Sequence, residues 1–382
     1  MGRLEAYSGI TDVTFKDEAD TVNALIPELK KQGVQTFVVL LHEGAAPSTQ
    51  FNKKSCDGLN GSILEILNRL DSSVDVVVSG HTHQSYLCDY GTVNSAKPFL
   101  LTSAGQYGTI LTNITLNLDG KTGKVLKKDA RQVIVQGEEF SRTSAGVTRV
   151  TALTNLYEKF VKNDAVEAIV KQYREAVETV SSRVVGKLTA SMTRTQVESK
   201  ESTLGNTIAD SQLEASKGNG AQFALMNPGG VRADLNAAAD GSVTFGQIFT
   251  VQPFGNIVVT LSLTGAQIKT VIEQQWSAAN ATNPRILFPS EGLSYSYKTS
   301  GSLPRASNIM IRGLPIVDNQ SYRVTVNSFL ADGGDGFSEL QKGSNRVGAG
   351  QDIDAFEAYI RTKSPLAPPP TNRLTVLPSL LP

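Results

Sequence analysis

Two short apolar runs, each preceded by a helical pattern, constrain the fold of this chain more than any other feature. Glu18–Lys31 has apolar residues at helical spacing, and Thr36–Leu41 (TFVVLL) is a continuous apolar run of strand length. A second helical pattern between Ile63 and Leu70 precedes a second apolar run, Val74–Ser79 (VDVVVS). Such runs are typical of parallel strands buried on both faces. The order helix, strand, helix, strand predicts a parallel α/β sheet with right-handed crossovers.

All three histidines of the chain lie directly after these two runs. His42 follows the first run, and Gly80-His81-Thr82-His83 follows the second. The carboxyl ends of parallel strands meet at one edge of a sheet, where open α/β sheets bind ligands. Imidazole nitrogens are common ligands of zinc, manganese and other divalent metals. We therefore expect His42, His81 and His83 to share a metal site; the alternative is a set of surface histidines in loops.

The pattern changes in the second half of the chain. Val150 to about Val184 predicts a helix between two domains, and from Leu188 a mixed pattern with frequent glycine predicts an α+β domain. Its expected strands are Gln222–Met226, Ile257–Leu263, Leu293–Tyr297 and Tyr322–Val326, and its expected helices are Leu204–Ser216, Ala266–Trp276 and Ile353–Thr362. The stretch from Ser364 holds six of the fifteen prolines, so we expect a tail that is extended and poorly packed.

Composition excludes several classes of protein. Among 382 residues, 40% are hydrophobic and 19% are charged, which is typical of a globular chain. The 36 basic and 36 acidic residues give no net charge, so a general binder of nucleic acid polymers or membrane surfaces is not expected. No stretch approaches the roughly 20 apolar residues of a membrane span, and Met1–Glu5 lacks the apolar core of a signal peptide. Two cysteines are too few for a Cys-based zinc scaffold or an iron–sulfur site.

The segments around the histidines resemble a known family. VVLLHEG and VDVVVSGHTHQ are similar to the distal half of a calcineurin-like metallophosphoesterase domain, and more specifically to that of the 5′-nucleotidase family. The resemblance implies a bimetal centre of zinc, manganese or similar ions. It further implies that His42 and His81 bind one metal and that His83 binds the other.

Three later motifs resemble the nucleotide-binding segments of the C-terminal domain of the same family. They are NPGGVR (Asn227–Arg232), VQPFGN (Val251–Asn256) and FLADGGDGF (Phe329–Phe337). The resemblance implies that Phe254 and Phe329 stack on a base and that Arg232 contacts the substrate near its phosphate. It also implies that polar edges of the base and ribose are held by Asn227, Asn256 and Asp335. Taken singly, a Gly-Gly pair is usually a turn and a phenylalanine is usually part of a core.

Other motifs of the family are not found in this sequence. The first half of its metal domain normally brings D-x-H, a bridging Asp and N-H-[ED], and no histidine here has those neighbours. We therefore expect the chain to begin in the middle of the metal domain, without the catalytic His and Asp, as an incomplete copy or a binding relic. Asp12, Asp17 and Asp20 are not expected to substitute as ligands. Lys200 stands where the family usually has Arg, so that contact is either weaker or made by Arg194.

Cys56 and Cys88 flank the unit that ends in GHTH. From the residues alone, a disulfide, two free core thiols or metal ligation remain open. Secreted and surface members of the family often have a bridge at this place, and the resemblance therefore implies a disulfide. It would close a loop of about 33 residues and stabilise the fold by roughly 3–4 kcal/mol in the chain-entropy model. An oxidising, extracytoplasmic location follows from that interpretation.

The expected organisation is a partial metallophosphoesterase α/β domain (1–148), an interdomain helix (149–185), a mixed α+β nucleotide-binding domain (186–363) and a Pro-rich tail (364–382). The expected function is metal-dependent hydrolysis of nucleotide phosphate esters. The alternatives are a nucleotide-binding module without catalysis, or hydrolysis of 2′,3′-cyclic nucleotides or nucleotide sugars.

Overall fold

The computed structural model describes residues 16–48, 50–144, 147–277, 280–281 and 283–378. The predictions for Met1–Glu5, Asp12 and the last proline, Pro382, lie outside these residues. The described chain forms two compact units. The first unit comprises residues 16–140 and 151–163, and the second comprises residues 141–144, 147–150 and the described residues from 164 onward.

The first unit is built around a four-stranded sheet with the order β1-β2-β4-β3. Its elements are α1 (Glu18–Lys31), β1 (Phe37–Leu41), α2 (Ile63–Arg69), β2 (Val74–Ser79), β3 (Ser85–Asp89), β4 (Leu100–Ala104), β5 (Ile110–Leu118) and β6 (Val125–Ile134). Strands β1, β2 and β4 are parallel, β3 is antiparallel to β4, and β5 pairs with β6. The predicted parallel α/β arrangement is therefore confirmed. Its core packs the helices on the sheet through Ile26, Leu67, Val77 and Phe99.

The second unit is mixed α and β, as predicted. Its elements are β7 (Phe140–Ser144), β8 (Val147–Thr151), α3 (Asp164–Ser181), β9 (Val184–Lys187), α4 (Thr203–Ser216), β10 (Phe223–Met226), β11 (Ser242–Thr244), α5 (Phe245–Val251), β12 (Ile257–Thr264), α6 (Gly265–Glu273), β13 (Phe288–Pro289), β14 (Leu293–Lys298), β15 (Ala306–Ile311), β16 (Leu314–Pro315), β17 (Ser321–Asn327), α7 (Ser328–Ala331), β18 (Ser344–Gln351), α8 (Asp352–Lys363) and β19 (Leu374–Leu377).

Two sheets form the frame of this unit. The larger has the order β13-β10-β17-β12-β18, and the smaller has the order β16-β15-β14-β19. One core cluster joins them through Phe223, Leu261, Trp276 and Tyr297, while a second packs α4, α5 and α8 together. None of the helices in the described part of the chain has both the length and the apolar character that a bilayer span requires.

The helix predicted from Val150 to Val184 is shorter than expected. It runs only over α3, while 147–151 is a strand. The side-chain amide of Gln136 explains the difference, because its Nε2 donates to the Thr154 carbonyl and its Oε1 accepts from the Thr154 N–H, both at 2.8 Å. The Gln136 carbonyl also accepts from the Phe160 N–H at 2.8 Å. Because the backbone groups of Thr154 and the N–H of Phe160 bond to Gln136, they do not form the i→i−4 hydrogen bonds of a longer helix.

The expectation of a poorly packed tail is wrong. Strand β19 pairs in parallel with β14, and Leu366 and Leu374 are buried. Arg373 forms a two-point ion pair with Asp210 at 2.9 and 2.7 Å, and both side chains are less than 10% exposed. The carboxylate of Glu201 accepts from the Arg373 and Leu374 N–H groups at 3.2 and 3.0 Å. Proline lacks an N–H, but the residues beyond the prolines supply these donors, and buried acceptors anchor the segment.

Replacing Arg373 should destabilise the second unit. Burial raises the pKa of Asp210, whereas Arg373 lowers it, so Arg373→Ala leaves a buried carboxylate without its cation. We expect a loss of about 3–5 kcal/mol in the free energy of unfolding, measured by urea denaturation. Arg361→Ala, in the exposed part of α8, is the matched control and should change stability by less than about 0.5 kcal/mol. Equal effects of the two variants would contradict a structural role of the tail.

Candidate functional sites

The register of β1 and β2 brings two histidines together in the first unit. Leu41 is paired with Ser79, so the residues that follow both strands leave the sheet at the same edge. Nδ1 of His81 lies 3.3 Å from Nε2 of His42, and the two rings meet edge to face with centroids 5.1 Å apart. The contact between the two rings is exposed to solvent. We call His42 and His81 the histidine pair.

Hydrogen bonds between the loop after β1 and the loop after β2 hold the histidine pair in place. The Gly80 N–H donates to the Glu43 carbonyl at 3.3 Å, and the Thr82 hydroxyl donates to the Ala45 carbonyl at 2.7 Å. The buried Tyr86 hydroxyl accepts from the Ala45 N–H at 3.0 Å and hydrogen-bonds the Ser79 hydroxyl at 2.6 Å. Burial raises the pKa of Tyr86, so this phenol remains neutral at physiological pH.

The loop after β2 contains two histidines, and its backbone is strained at both of them. His81 and His83 have φ values of 66° and 58°, in the left-handed region that non-glycine residues rarely adopt. Each such residue costs on the order of 1–3 kcal/mol and persists only when its surroundings hold it. His83 packs its ring against Tyr107, with centroids 6.0 Å apart. His83 therefore contacts Tyr107, whereas His42 and His81 contact each other.

The histidine pair fits two ligand positions of a divalent metal. Two nitrogens bound to one tetrahedral zinc at about 2.0–2.1 Å lie about 3.3–3.4 Å apart, and the observed separation is 3.3 Å. Within the part of the chain that the structure describes, no group of three or more His, Cys, Asp or Glu side chains is placed to hold a metal. Asp17 and Asp20 both form ion pairs with Arg69.

Parallel strand pairing also brings a cluster of buried polar side chains together in the second unit. Strand β10 pairs in parallel with β17, so Asn227, which follows the first, lies beside Asn327 at the end of the second. Asn327 Nδ2 donates to Asn227 Oδ1 at 2.9 Å, and Asn227 Nδ2 donates to Asp335 Oδ2 at 3.0 Å. All three residues are at most 9% exposed. This network joins two of the three motif segments.

Asp335 has two further partners that sequence analysis missed. Arg285 forms a close ion pair with its Oδ1, and Asn280 Nδ2 donates to its backbone carbonyl at 2.9 Å. Asp335 itself adopts a left-handed φ of 56°. Both partners come from the connection between α6 and β13, where no motif or periodic pattern marked them. Only the folded chain shows that a cation compensates this buried carboxylate.

The two predicted aromatic residues lie in different surroundings. Phe254 is 56% exposed, and the guanidinium carbon of Arg232 lies 5.6 Å from the centre of its ring. Arg232 also donates to the Gly229 carbonyl at 3.3 Å. Phe329 is half-buried and lies over Gly334, where an added Cβ would come within 2.5 Å of the ring. Phe254 is therefore available to a ligand, while Gly334 provides the space that Phe329 occupies.

Asn256 connects the segments that bear the two phenylalanines. Its Nδ2 donates to Asp352 Oδ2 at 3.2 Å, and its Oδ1 accepts from the Ser328 hydroxyl at 3.5 Å. The same hydroxyl accepts from the Ile257 N–H at 3.2 Å. Because Ser328 precedes Phe329 and Asn256 follows Phe254 by two residues, these bonds hold the two aromatic segments side by side.

Lys200 and Arg194, the two residues considered for one cationic contact, have different surroundings. Lys200 lies in a turn with a left-handed φ of 64° and donates its N–H to the Val197 carbonyl at 2.9 Å. Arg194 donates from Nη1 to the carbonyl of Arg232 at 2.7 Å and to that of Val231 at 3.3 Å. Arg194 thus supports the backbone that carries Arg232.

The disulfide implied by the resemblance is present. Cys56 and Cys88 are bridged across a separation of 32 residues, with Cα atoms 4.9 Å apart. The bridge ties the loop after β1 to β3, two elements on either side of the GHTH loop in the chain. Neither cysteine is a metal ligand or a free thiol.

The chain is similar in sequence and in fold to known proteins. Residues 184–342 match the family model of the 5′-nucleotidase C-terminal domain. A cell wall protein of Listeria monocytogenes, Lmo0130, is 31% identical and aligns with 92% of this chain and 44% of its own length. The trifunctional nucleotide phosphoesterase protein YfkN of Bacillus subtilis is 27% identical, over 91% of this chain and 21% of its own length. The chain therefore spans less than half the length of either relative.

A solved structure shows the same fold. The 5′-nucleotidase precursor from Thermus thermophilus superposes with a TM-score of 0.63 at 24% identity. The match covers 96% of this chain and 68% of that one.

A methyl group at Gly44 should disrupt the support of the histidine pair. Its Cβ would clash with the Gly80 carbonyl and lie 2.5 Å from Thr82 Oγ1. We expect Gly44→Ala to lower the free energy of unfolding of the first unit by about 1–3 kcal/mol, measured by thermal denaturation. Gly120→Ala is the control, because nothing lies within 4 Å of the added Cβ. A Gly44→Ala variant as stable as the control would show that the loops do not depend on this contact.

Proposed function

Because the chain belongs to the 5′-nucleotidase family, we propose that it binds nucleotides through its second unit and contributes to metal-dependent hydrolysis of their phosphate esters. The contacts between the three motif segments are the main support for nucleotide binding. Contacts connect the three separate segments: Asn227 bonds Asp335, Arg232 lies over Phe254, and Asn256 bonds Ser328, the residue directly before the third segment. These segments contain every substrate-binding residue that the sequence predicts.

The chemistry of the three segments suits a nucleotide. The exposed Phe254 offers an aromatic face to a base, and stacking of this kind contributes roughly 1–3 kcal/mol per base. Phe329, held beside it through Asn256 and Ser328, would provide the second aromatic contact. The Asp335 carboxylate accepts hydrogen bonds and would receive them from ribose hydroxyls. The guanidinium fork of Arg232 matches the geometry of a phosphate better than an ammonium does.

The first unit would supply part of a metal centre. The histidine pair would hold one divalent ion, zinc, manganese or similar, through His81 Nδ1 and His42 Nε2, while His83 would serve the second ion. A bound divalent metal supplies Lewis acidity toward phosphoryl oxygens. The imidazoles must be neutral to serve as ligands, so metal binding would release protons and would be favoured by a rising pH.

A second candidate function is nucleotide binding without catalysis. Two nitrogen donors alone do not make a two-metal hydrolytic centre, and within the described residues no three-donor group exists. In this alternative the second unit works alone and the histidine pair has no catalytic role. Hydrolysis of 2′,3′-cyclic nucleotides or nucleotide sugars is a variant of the first proposal with a different leaving group.

The disulfide supports an extracytoplasmic location. Disulfides persist in oxidising environments and are rare in the cytosol, and Cys56 and Cys88 are bridged. The Listeria relative carries the name of a cell wall protein. We therefore place the activity at the cell surface or outside the cell.

Removing the exposed phenyl ring should weaken nucleotide binding. Phe254→Ala loses one stacking face, so we expect adenosine affinity, measured by calorimetry, to fall about 5- to 160-fold. Phe249→Ala is a matched control, because Phe249 is 50% exposed and lies outside the three motif segments. It should bind adenosine like the wild type. Unchanged affinity in Phe254→Ala would contradict the stacking role.

Phosphate release separates the two candidate functions. With Mn²⁺ or Zn²⁺, the phosphoesterase proposal expects release from AMP that is abolished by EDTA and reduced at least about 100-fold in His42→Ala. Asn68→Ala, at a polar position of α2 in the same unit, serves as a control for general destabilisation. AMP binding without any metal-dependent release would instead support the binding module. Absence of AMP binding would contradict both.

A further inference from the structure

The second unit contains a cavity that is lined by none of the three motif segments. Its volume is about 540 Å³, within the range of roughly 300–1,000 Å³ that is typical of small-molecule sites. Its wall is built from α4, β14, β15, α8 and the tail, which contribute Asp210, Leu293, Met310, Tyr359 and Pro370 among others. The packed tail therefore closes one side of a space that is large enough for a ligand.

The charges in the cavity wall are unequal. Among the described residues that line the cavity, Arg373 is the one cation, and its guanidinium already forms the two-point ion pair with Asp210. Nη1 of Arg373 also donates to the Pro289 carbonyl at 2.7 Å. Glu291 adds a second carboxylate to the wall and is exposed. Because Asp210 neutralises Arg373, Glu291 leaves the wall with a net negative charge.

The phenol of Tyr359 lies in this negative field. Its side chain is half-buried in the cavity wall, and its hydroxyl makes no hydrogen bond to a residue that the structure describes. Burial raises the pKa of Tyr359 to about 12, with further contributions from the carboxylates of Asp210, Glu291 and Glu214. Arg373 lowers that pKa, but it is a single cation against three carboxylates. The phenol therefore stays neutral, and a positive charge is favoured beside its ring.

The remaining wall suits alkyl groups. It includes the side chains of Leu293, Met310, Ala367, Pro369 and Pro370. An aromatic face attracts a cation through its quadrupole, and the attraction grows when the cation is removed from water. Apolar walls remove water from the alkyl groups of a ligand but offer nothing to a bare metal ion. An anion would instead meet carboxylates.

We propose that this cavity binds a small organic cation, an amine that is protonated or quaternary and carries alkyl groups, with its charge against the ring of Tyr359 and toward the carboxylate of Glu291. The alkyl groups would contact the proline and methionine side chains of the wall. This inference goes beyond the proposed nucleotide function and does not depend on it.

One pair of probes isolates the charge. Choline and its neutral isostere 3,3-dimethylbutan-1-ol have nearly the same shape, but only choline is a cation. A cation over an aromatic ring gains about 2- to 30-fold in affinity, and the carboxylate adds to this gain. We therefore expect calorimetry with the full chain to show choline bound at least about fivefold more tightly than the alcohol.

Two variants of Tyr359 separate the ring from the hydroxyl. Tyr359→Leu removes the aromatic face and should weaken choline binding about 2- to 30-fold. Tyr359→Phe keeps the face and should bind choline within about twofold of the wild type. A structural role of the hydroxyl would instead make the two variants alike.

A variant of Glu291 tests the charge of the wall. Glu291→Gln keeps the shape of the side chain and should weaken the binding of choline but not that of the alcohol. Glu167→Gln, in the exposed helix α3, is the matched control and should change neither. Because Glu291 is exposed, its replacement leaves the core intact and decides the question should Tyr359→Leu not fold.

Several results would overturn the inference. They are a wild type that binds neither probe, equal affinities for choline and the alcohol, and choline binding that is unchanged in both Tyr359→Leu and Glu291→Gln. Competition of inorganic phosphate with choline would also contradict it, because Arg373 rather than the carboxylates would then determine which charge the cavity accepts.

Discussion

The hydrogen bond from Asn227 to Asp335 is the contact on which the proposed site of the second unit depends. It joins the segment after β10 to the segment after α7 at 3.0 Å, and the parallel pairing of β10 with β17, the strand before α7, brings these segments together. The carboxylate it contacts is buried, and burial of an unpaired charge is costly. Arg285 compensates that charge and so helps to hold the segment after α7 that bears Asp335. In the nucleotide site that we propose, the aromatic and amide groups would therefore have fixed places before a ligand binds, which would lower the entropy cost of binding.

The same principle places the histidine pair. Parallel register at the end of β1 and β2 brings two imidazole nitrogens to 3.3 Å, a distance that suits two ligands of one ion. Parallel pairing thus sets the position of the candidate residues in each unit, taken by itself. The supporting residues differ: backbone contacts around Gly44 and the phenol of Tyr86 hold the histidine pair, while a network of amides and carboxylates holds the residues of the second unit.

Sequence patterns predicted the local order well and the distant contacts poorly. The apolar runs of β1 and β2 and the motifs around Phe254 and Asp335 were recognisable because periodicity and motif spacing are local properties. The packed tail was not, because Arg373 is stabilised by Asp210, which lies 163 residues earlier in the chain. Arg285 and Asp352 were missed for the same reason, since each acts on a residue of another segment. The helix before β9 was predicted too long because Gln136, distant in sequence, takes up its first backbone groups.

The most direct test of the central claim is a crystal structure of this chain with adenosine. We expect a base stacked on Phe254 at about 3.5–4.0 Å, with the ribose hydroxyls toward Asp335 and with Asn256 at the edge of the base. The second unit also has a cavity of about 540 Å³ lined by Asp210, Tyr359 and Arg373, which belongs to none of the motif segments. Adenosine found in that cavity, with Phe254 left uncovered, would contradict the account.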